Sequence, residues 1–425
     1  MIRIMKFDPS SVDAIMTRNN VAVSGVEDIV ADILKNVRGR GDEALFEYNE
    51  TFDKARLSAL RVTEAEIDAA VGAVGEGFMG VLRRSAANIE AFHIHQKREN
   101  FVVNDTEGVV LGQKITPMQR VGIYVPGGTA SLSSTVLMDA IPARIAGVPE
   151  RVMVTPPRPD GSIAPEVLAA ASVAGITEIY KVGGAQAIAA LAYGTKSIAR
   201  VDKIVGPGNI FVATAKRQVY GLVDIDMIAG PSEILVLADA TAEPRYLAAD
   251  LLSQAEHDRL ATAVLVCTDD GQALAVSQEL ERQIPLLPRA DIARESIDTN
   301  GKIVVCADLA QAVEAANLIA PEHLEICTDD PFSLLNSVRN AGSIFLGKNV
   351  PEALGDYYAG PNHTLPTSGT ARFSSPLSVD DFIKKSSFIY YTKEALGRVK
   401  DDIVAFAERE GLQGHGRSVA IRFED

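Results

Sequence analysis

Apolar positions recur at helical spacing through the first hundred residues, then give way to short continuous apolar runs separated by further helical stretches. VEDIVADILKNVRGRGDEALFEYNETF, from Val26, has apolar residues three and four apart and is broken by GRGD. TEAEIDAAVGAV opens with Thr63 and carries Glu66 three positions on, the spacing of a capping box. From about Arg151 the pattern alternates. RVMVTPP reads as a strand ended by prolines, APEVLAAASVAG as a helix with Pro near its start and Gly at its end, and EIYKVGG as another strand. AQAIAALAYG is again helical, DKIVGPGN a strand entering a turn, and NIFVATAKRQVYG a helix. Three strand-helix units in succession predict a parallel α/β sheet.

A second run follows, in which EILVLAD, AVLVC, KIVVC, HLEIC and SIFLG are short apolar strands separated by helices such as PRYLAADLLSQAEH and LAQAVEAANLIA. Continuous apolar strands imply sheets covered on both faces. Residues 355–378 are rich in Gly, Pro, Ser and Thr and too long for a simple connector, which marks them as a candidate functional loop. No residue-level repeat links the two runs. GEGFMG, Gly75 to Gly80, fits the dinucleotide fingerprint letter for letter, but it follows a helical pattern where the fingerprint requires a strand, so we reject it.

Composition narrows the function classes. The chain has 425 residues, 47% hydrophobic and 23% charged, as in a compact globular protein of two or three domains. Lys and Arg number 41 against 56 Asp and Glu, a formal charge of −15 that opposes nucleic acid and anionic membrane partners. The N-terminal MIRIMKFDPSSVD has one basic-apolar alternation and no continuous apolar core of the secretory kind. Cys267, Cys306 and Cys327 each end a short apolar run and lack metal-ligand spacing, so we expect buried packing in a reducing cytoplasm.

Three glycine loops stand out, YVPGGTA from Tyr124, VGGAQA from Val182 and VGPGN from Val205, and two of them leave a predicted strand and lead into a helix, where backbone N–H groups and the helix dipole could hold a phosphate. Tight strand-helix turns would use the same residues. Among six histidines, His93 and His95 lie in the polar AFHIHQKREN and are expected to be solvated. Gln254 and His257 stand three apart on one helical face, either as a polar stripe or as partners of a shared metal ion. Glu322 and His323 enter a strand after Pro321, a carboxylate beside an imidazole suited to proton transfer. His363 follows Asp356 by seven residues, and His415 follows Glu410 by five. These groups suffice for one zinc site plus a base. Whether they converge does not follow from spacing.

The ordered motifs IYVPGG, GGAQAIAALAYGT, DKIVGPGN, DMIAGPSE, DLLSQAEH, APEHLEI, GDYYAGPNHTLPTSGTARFSSPLSVDDF and EGLQGHGRSV resemble those of the histidinol dehydrogenase family. That resemblance implies two incomplete Rossmann-like parallel-sheet domains with small helical terminal segments, in an intertwined homodimer. The division would be 22–123 with 233–376 as the first α/β domain, 124–232 as the second, NAD-binding domain, and 1–21 with 377–425 as terminal segments for dimerisation. It implies Gln254, His257, Asp356 and His415 as ligands of one zinc per subunit, and Glu322 with His323 as the catalytic pair. Ser232 and Glu410 would hold substrate alongside the zinc ligands and His323, while Tyr124, Gln186 and Asn209 would contact NAD. Glu410 and His415 would act in the neighbouring subunit's site.

The implied reaction takes L-histidinol through L-histidinal to L-histidine, reducing two NAD, as the last two steps of histidine biosynthesis. The alternative within this scaffold is a paralogous zinc and NAD alcohol dehydrogenase acting on a sulfonated diol. A zinc hydrolase with Glu322 as base would leave the glycine loops idle, and a non-catalytic binder would have no need of the Glu322-His323 pair.

Overall fold

The computed structural model describes residues 2–11, 15, 25–127 and 132–424. Gly128, Thr129 and Ala130 of the first glycine loop, and most of 12–24 in the expected N-terminal segment, lie outside the described residues. The chain divides into two compact units, one of Met1–Gln96 with Met118–Phe382 and one of Lys97–Pro117 with Ile383–Asp425.

The larger unit contains two all-parallel sheets. The first is built from β4 (Arg120–Tyr124), β5 (Glu150–Thr155), β6 (Glu178–Lys181), β7 (Lys203–Val205) and β8 (Asp224–Ile225), in the order β6-β5-β4-β7-β8. The second contains β9 (Glu233–Ala238), β10 (Thr262–Cys267), β11 (Lys302–Val305), β12 (His323–Cys327) and β13 (Ser343–Leu346). It is ordered β11-β10-β9-β12-β13 and is extended beyond β11 by β1 (Arg3–Lys6). Counted from the first strand of each run, the two sheets share one order, 3-2-1-4-5, with a switch point between the first and fourth strands.

Every residue of β9, β10, β11 and β12 is buried, as continuous apolar strands covered on both faces require. The helices that cover the five-stranded sheet include Ser133–Ala146, Pro165–Ala174, Gly184–Tyr193 and Ile210–Val219. Pro165 opens its helix, and Gly175 ends it in the left-handed region at φ 75°. Helix Glu64–His93 packs on Pro165–Ala174 and Ser133–Ala146, and helix Val26–Arg40 on Gly184–Tyr193 and Ile210–Val219, so both cover the five-stranded sheet. Val30, Ile33, Leu34 and Val37 supply the apolar stripe that makes this contact.

The Thr63 side chain and Glu66 form the reciprocal capping box read from the sequence. GEGFMG lies inside that same helix, where Gly75 has φ 73°, and it is helix, not strand, that leads into it. His93 corrects the solvated expectation: it is fully buried, and its Nδ1 is 2.7 Å from Gln96 Oε1, closing the helix end. All three cysteines are free and buried.

The smaller unit is an antiparallel sheet of β2 (Phe101–Val103), β3 (Val109–Pro117) and β14 (Ile383–Tyr391), ordered β14-β3-β2, with helices Lys393–Arg409 and Gln413–Ala420. The sequence pattern does not predict this sheet. No helix among the described residues is long and apolar enough to cross a membrane.

Candidate active site

Pro244 starts helix Pro244–Ala255, whose last turn buries Gln254 completely. Neither its Oε1 nor its Nε2 has a hydrogen-bond partner among the described residues. His257 follows in a turn closed by its N–H on the Gln254 carbonyl at 3.1 Å. A second, short helix, Glu352–Tyr357, brings Glu352 and Asp356 to the same place. One ligand atom each from His257, Glu352 and Asp356 lie within 4.8 Å of one another. The N-terminus of that short helix is held from β12, where the buried Glu325 Oε1 accepts the Glu352 N–H at 2.7 Å.

His323 is the first residue of β12 and is buried. Its Nδ1 lies 3.1 Å from the Glu233 carbonyl, which can only accept, so Nδ1 carries a proton and Nε2 is the nitrogen turned toward Asp356. Nε2 has no hydrogen-bond partner among the described residues and stands 3.7 Å from Asp356 Oδ1. Burial works against charge on this imidazole, but Glu352 at 3.7 Å and Glu322 at 3.8 Å, together with Asp356, outweigh it and hold the pKa well above the ordinary value. Glu322 accepts the Glu233 N–H at 2.8 Å, and burial pushes its carboxyl up to about 8 against the pull of His323. Burial would likewise raise Asp356, yet the close approach of His323 and the neighbouring imidazoles of His363 and His257 keep it below the usual range.

A cavity of about 280 Å³ opens beside these groups, lined by His323, Phe345, Asp356, Asn362 and His363 among others. His363 is tied at 3.0 Å from Nδ1 to the Asp356 carbonyl and at 3.3 Å from Nε2 to Thr135 Oγ1. Half-buried Ser232 precedes β9, and its carbonyl accepts the Thr262 N–H. Thus Ser232, Gln254, His257, Glu322 and His323 all stand at the amino ends of the six-stranded sheet.

A larger cavity, about 690 Å³, lies at the carboxyl ends of the five-stranded sheet. Tyr124 ends β4, Gln186 is buried in the first turn of helix Gly184–Tyr193, and Asn209 caps helix Ile210–Val219; all three line the cavity. Asn209 Oδ1 accepts from the Phe211 and Val212 N–H groups, leaving its Nδ2 for other partners. The Tyr124 hydroxyl, pushed up to about 12 by burial, accepts the Gly184 N–H at 3.1 Å. Between β7 and this helix the chain turns at Gly206, φ 115°, where a Cβ would fall 2.1 Å from the Tyr124 carbonyl oxygen. Only glycine fits there. A buried Lys216–Asp226 ion pair braces the turn, with Lys216 Nζ on the Gly206 carbonyl at 2.9 Å and Asp226 Oδ2 on the Gly206 N–H at 2.7 Å.

Glu410 and His415 belong to the smaller unit, one just past helix Lys393–Arg409 and the other in helix Gln413–Ala420, and both are exposed. Glu352 is absent from the sequence reading, although its spacing of four from Asp356 on a helix was a readable signal.

Against known proteins, residues 16–423 match the family model for histidinol dehydrogenase. The chain is 57% identical to the histidinol dehydrogenase of Syntrophotalea carbinolica, with 100% of each chain covered. It is 56% identical to that of Listeria monocytogenes, over 94% of this chain and 93% of the relative. The crystal structure of histidinol dehydrogenase from Elizabethkingia anophelis superposes with a TM-score of 0.95 at 39% identity, covering 99% of this chain and 98% of that one. With the family matched over nearly the whole chain and its fold reproduced, this protein belongs to the histidinol dehydrogenase family.

Proposed function

We propose that the chain oxidises L-histidinol through L-histidinal to L-histidine in a zinc-dependent reaction that reduces two NAD, the last two steps of histidine biosynthesis. The observation that carries this reading is Gln254, a fully buried amide with both polar atoms unpartnered among the described residues, near the convergent atoms of His257, Glu352 and Asp356. Such a donor set fits a cation at the C-terminal end of a helix, where the backbone dipole also favours positive charge. Gln254, His257, Asp356 and His415 are the proposed ligands. Bound zinc supplies a charge that draws the imidazole and amino nitrogens of the substrate into place.

His323 takes the alcohol proton at Nε2, the nitrogen not engaged by the Glu233 carbonyl; a cation bound beside it would offset the carboxylate charges that otherwise hold this imidazole protonated. The carbinol hydrogen leaves as hydride to NAD, held by Tyr124, Gln186 and Asn209. Glu322 then removes a proton from the water that hydrates the aldehyde, and the second hydride leaves from that hydrate. Its raised pKa suits a carboxylate asked to act as a base rather than as a bystander. Ser232 and Glu410 orient the substrate. The smaller unit exposes Phe101, Val102, Val103, Ile389 and Tyr390, an apolar surface that supports a homodimer in which Glu410 and His415 serve the neighbouring subunit's site.

The test is purified protein with zinc, L-histidinol and NAD, followed at the nicotinamide absorbance. Two NADH per L-histidinol, with L-histidine as product, is the expected result. No NADH, or one NADH with preference for a sulfonated diol, overturns it.

A further inference from the structure

The 690 Å³ cavity is lined by two charged groups that the proposed NAD contacts leave without work, Asp53 and Arg158, and it is Asp53 that stands on a distinctive backbone. Asp53 closes a five-residue π-helical turn, Asn49–Asp53, a rare geometry concentrated at functional sites. Two features fix that turn. Buried Asn49 donates from Nδ2 to the Lys181 carbonyl at 2.8 Å, pinning it to β6, and Lys54 next in line adopts a left-handed φ of 59°. The Lys54 ammonium is engaged by the Thr51 carbonyl at 2.7 Å. Asp53 Oδ2 is enclosed and has no hydrogen-bond partner among the described residues. Burial pushes the Asp53 carboxyl up to about 6. Phe52, also lining the cavity, is 53% exposed and stacked on Tyr48 at 5.4 Å between centroids.

A carboxylate left with unused acceptor capacity at the rim of a nucleotide-sized cavity suits a ligand that brings two adjacent hydroxyl donors. A ribose diol does so, and a 2′-phosphate in its place would set like charges together. The geometry points to Asp53 as the residue that receives the adenosine ribose hydroxyls and sets the choice of NAD over NADP, with Phe52 presenting a face for adenine. This deepens, and rests on, the proposed use of NAD.

Two measurements test it. In steady-state assays with L-histidinol, Asp53→Asn raises the KM for NAD by about tenfold or more, the loss of one charge-assisted hydrogen bond, and leaves kcat within about threefold. The preference for NAD over NADP narrows by about tenfold or more in the same variant. Calorimetric titration of the wild-type zinc-loaded protein with 5′-AMP and 2′-deoxy-5′-AMP needs neither turnover nor a variant, and the deoxy nucleotide should bind about tenfold more weakly. An unchanged KM and NADP preference in folded Asp53→Asn, equal affinity for the two nucleotides, or no AMP binding overturns the assignment. Failure of the dehydrogenase reading is separate: the wild type would form no NADH, while the AMP titrations would still decide the role of Asp53.

Discussion

Gln254 is costly to bury. Each amide group deprived of water and left unpaired costs on the order of 1–3 kcal/mol, and both groups of Gln254 are in that state. A bound metal ion would offset part of this at the oxygen, and a neutral ligand has a further use. With two imidazoles and one carboxylate it leaves the proposed shell a net charge of +1, which keeps the metal attractive to substrate nitrogens. Replacing Gln254 with Met, similar in length and apolar, should therefore split two properties. The metal-free protein should unfold at equal or higher urea concentration, because an unsatisfied pair of groups is gone, while zinc affinity measured by chelator competition should fall about a hundredfold or more. A metal-free protein strongly destabilised by the change would mean that Gln254 is satisfied by something other than a metal. The pairing of Gln254 with His257 was visible in the sequence only as a weak spacing, and it gained weight from distant motifs. Glu352 was overlooked: its spacing of four from Asp356 could be read, but nothing in PEALGD singles it out until folding sets that turn against His323. His93 was misread for the converse reason: polar neighbours in sequence say nothing of the space that the helix end enters.

At the scale of elements, strands buried on both faces were legible because their apolar runs need no alternation, and their helices carried Pro and Gly at the proper ends. β1 was hidden in a four-residue alternation, RIMK, and the antiparallel sheet in sequences such as IKKSSFIYY, almost all exposed, whose periodicity points to no single buried face. Helix Ser133–Ala146 shows what an apolar pattern can conceal. Residues 135–143 are all buried, and Asp139 sits among them, accepting from Thr364 Oγ1 at 2.9 Å and facing the Lys216–Asp226 pair that braces Gly206. Burial, and then Asp226, push its carboxyl up to about 8 against the weaker influence of Thr364 and Lys216. An unfolded aspartate releases its proton near 4, so between about 4 and 8 the folded state binds the extra proton. This contribution to stability is therefore present at low pH and declines as pH rises through that window. Asp139→Asn removes the titration and keeps an oxygen for Thr364. Urea midpoints at pH 5 and pH 8 should differ less in the variant than in the wild type, by an amount on the order of a few kcal/mol in unfolding free energy. Parallel pH dependence in the two proteins would show that Asp139 is already ionised in the fold.

Across the whole molecule, two sheets of one strand order are used at opposite ends: the nucleotide-sized cavity lies at the carboxyl ends of one, and the Glu322-His323 pair at the amino end of β12 in the other. No residue repeat announced this, because shared order constrains only where strands lie, and each sheet fills its surroundings with different side chains. Neither does the order of motifs along the chain say whether His415 completes the site of its own chain or that of a second copy. The exposed apolar strands of the smaller unit favour a second copy, and complementation decides between the two. Chains carrying His323→Ala and chains carrying His415→Ala should each be inactive alone. If His415 serves the neighbouring subunit, a heterodimer of the two has one site with both defects and one with neither. Random reassembly of equal amounts makes half the dimers heterodimeric, so activity should return to about a quarter of the wild-type level. If each site is built within one chain, every site in the mixture keeps a defect and no activity returns. Heterodimers verified by differential tagging and still inactive would place His415 in its own chain's site.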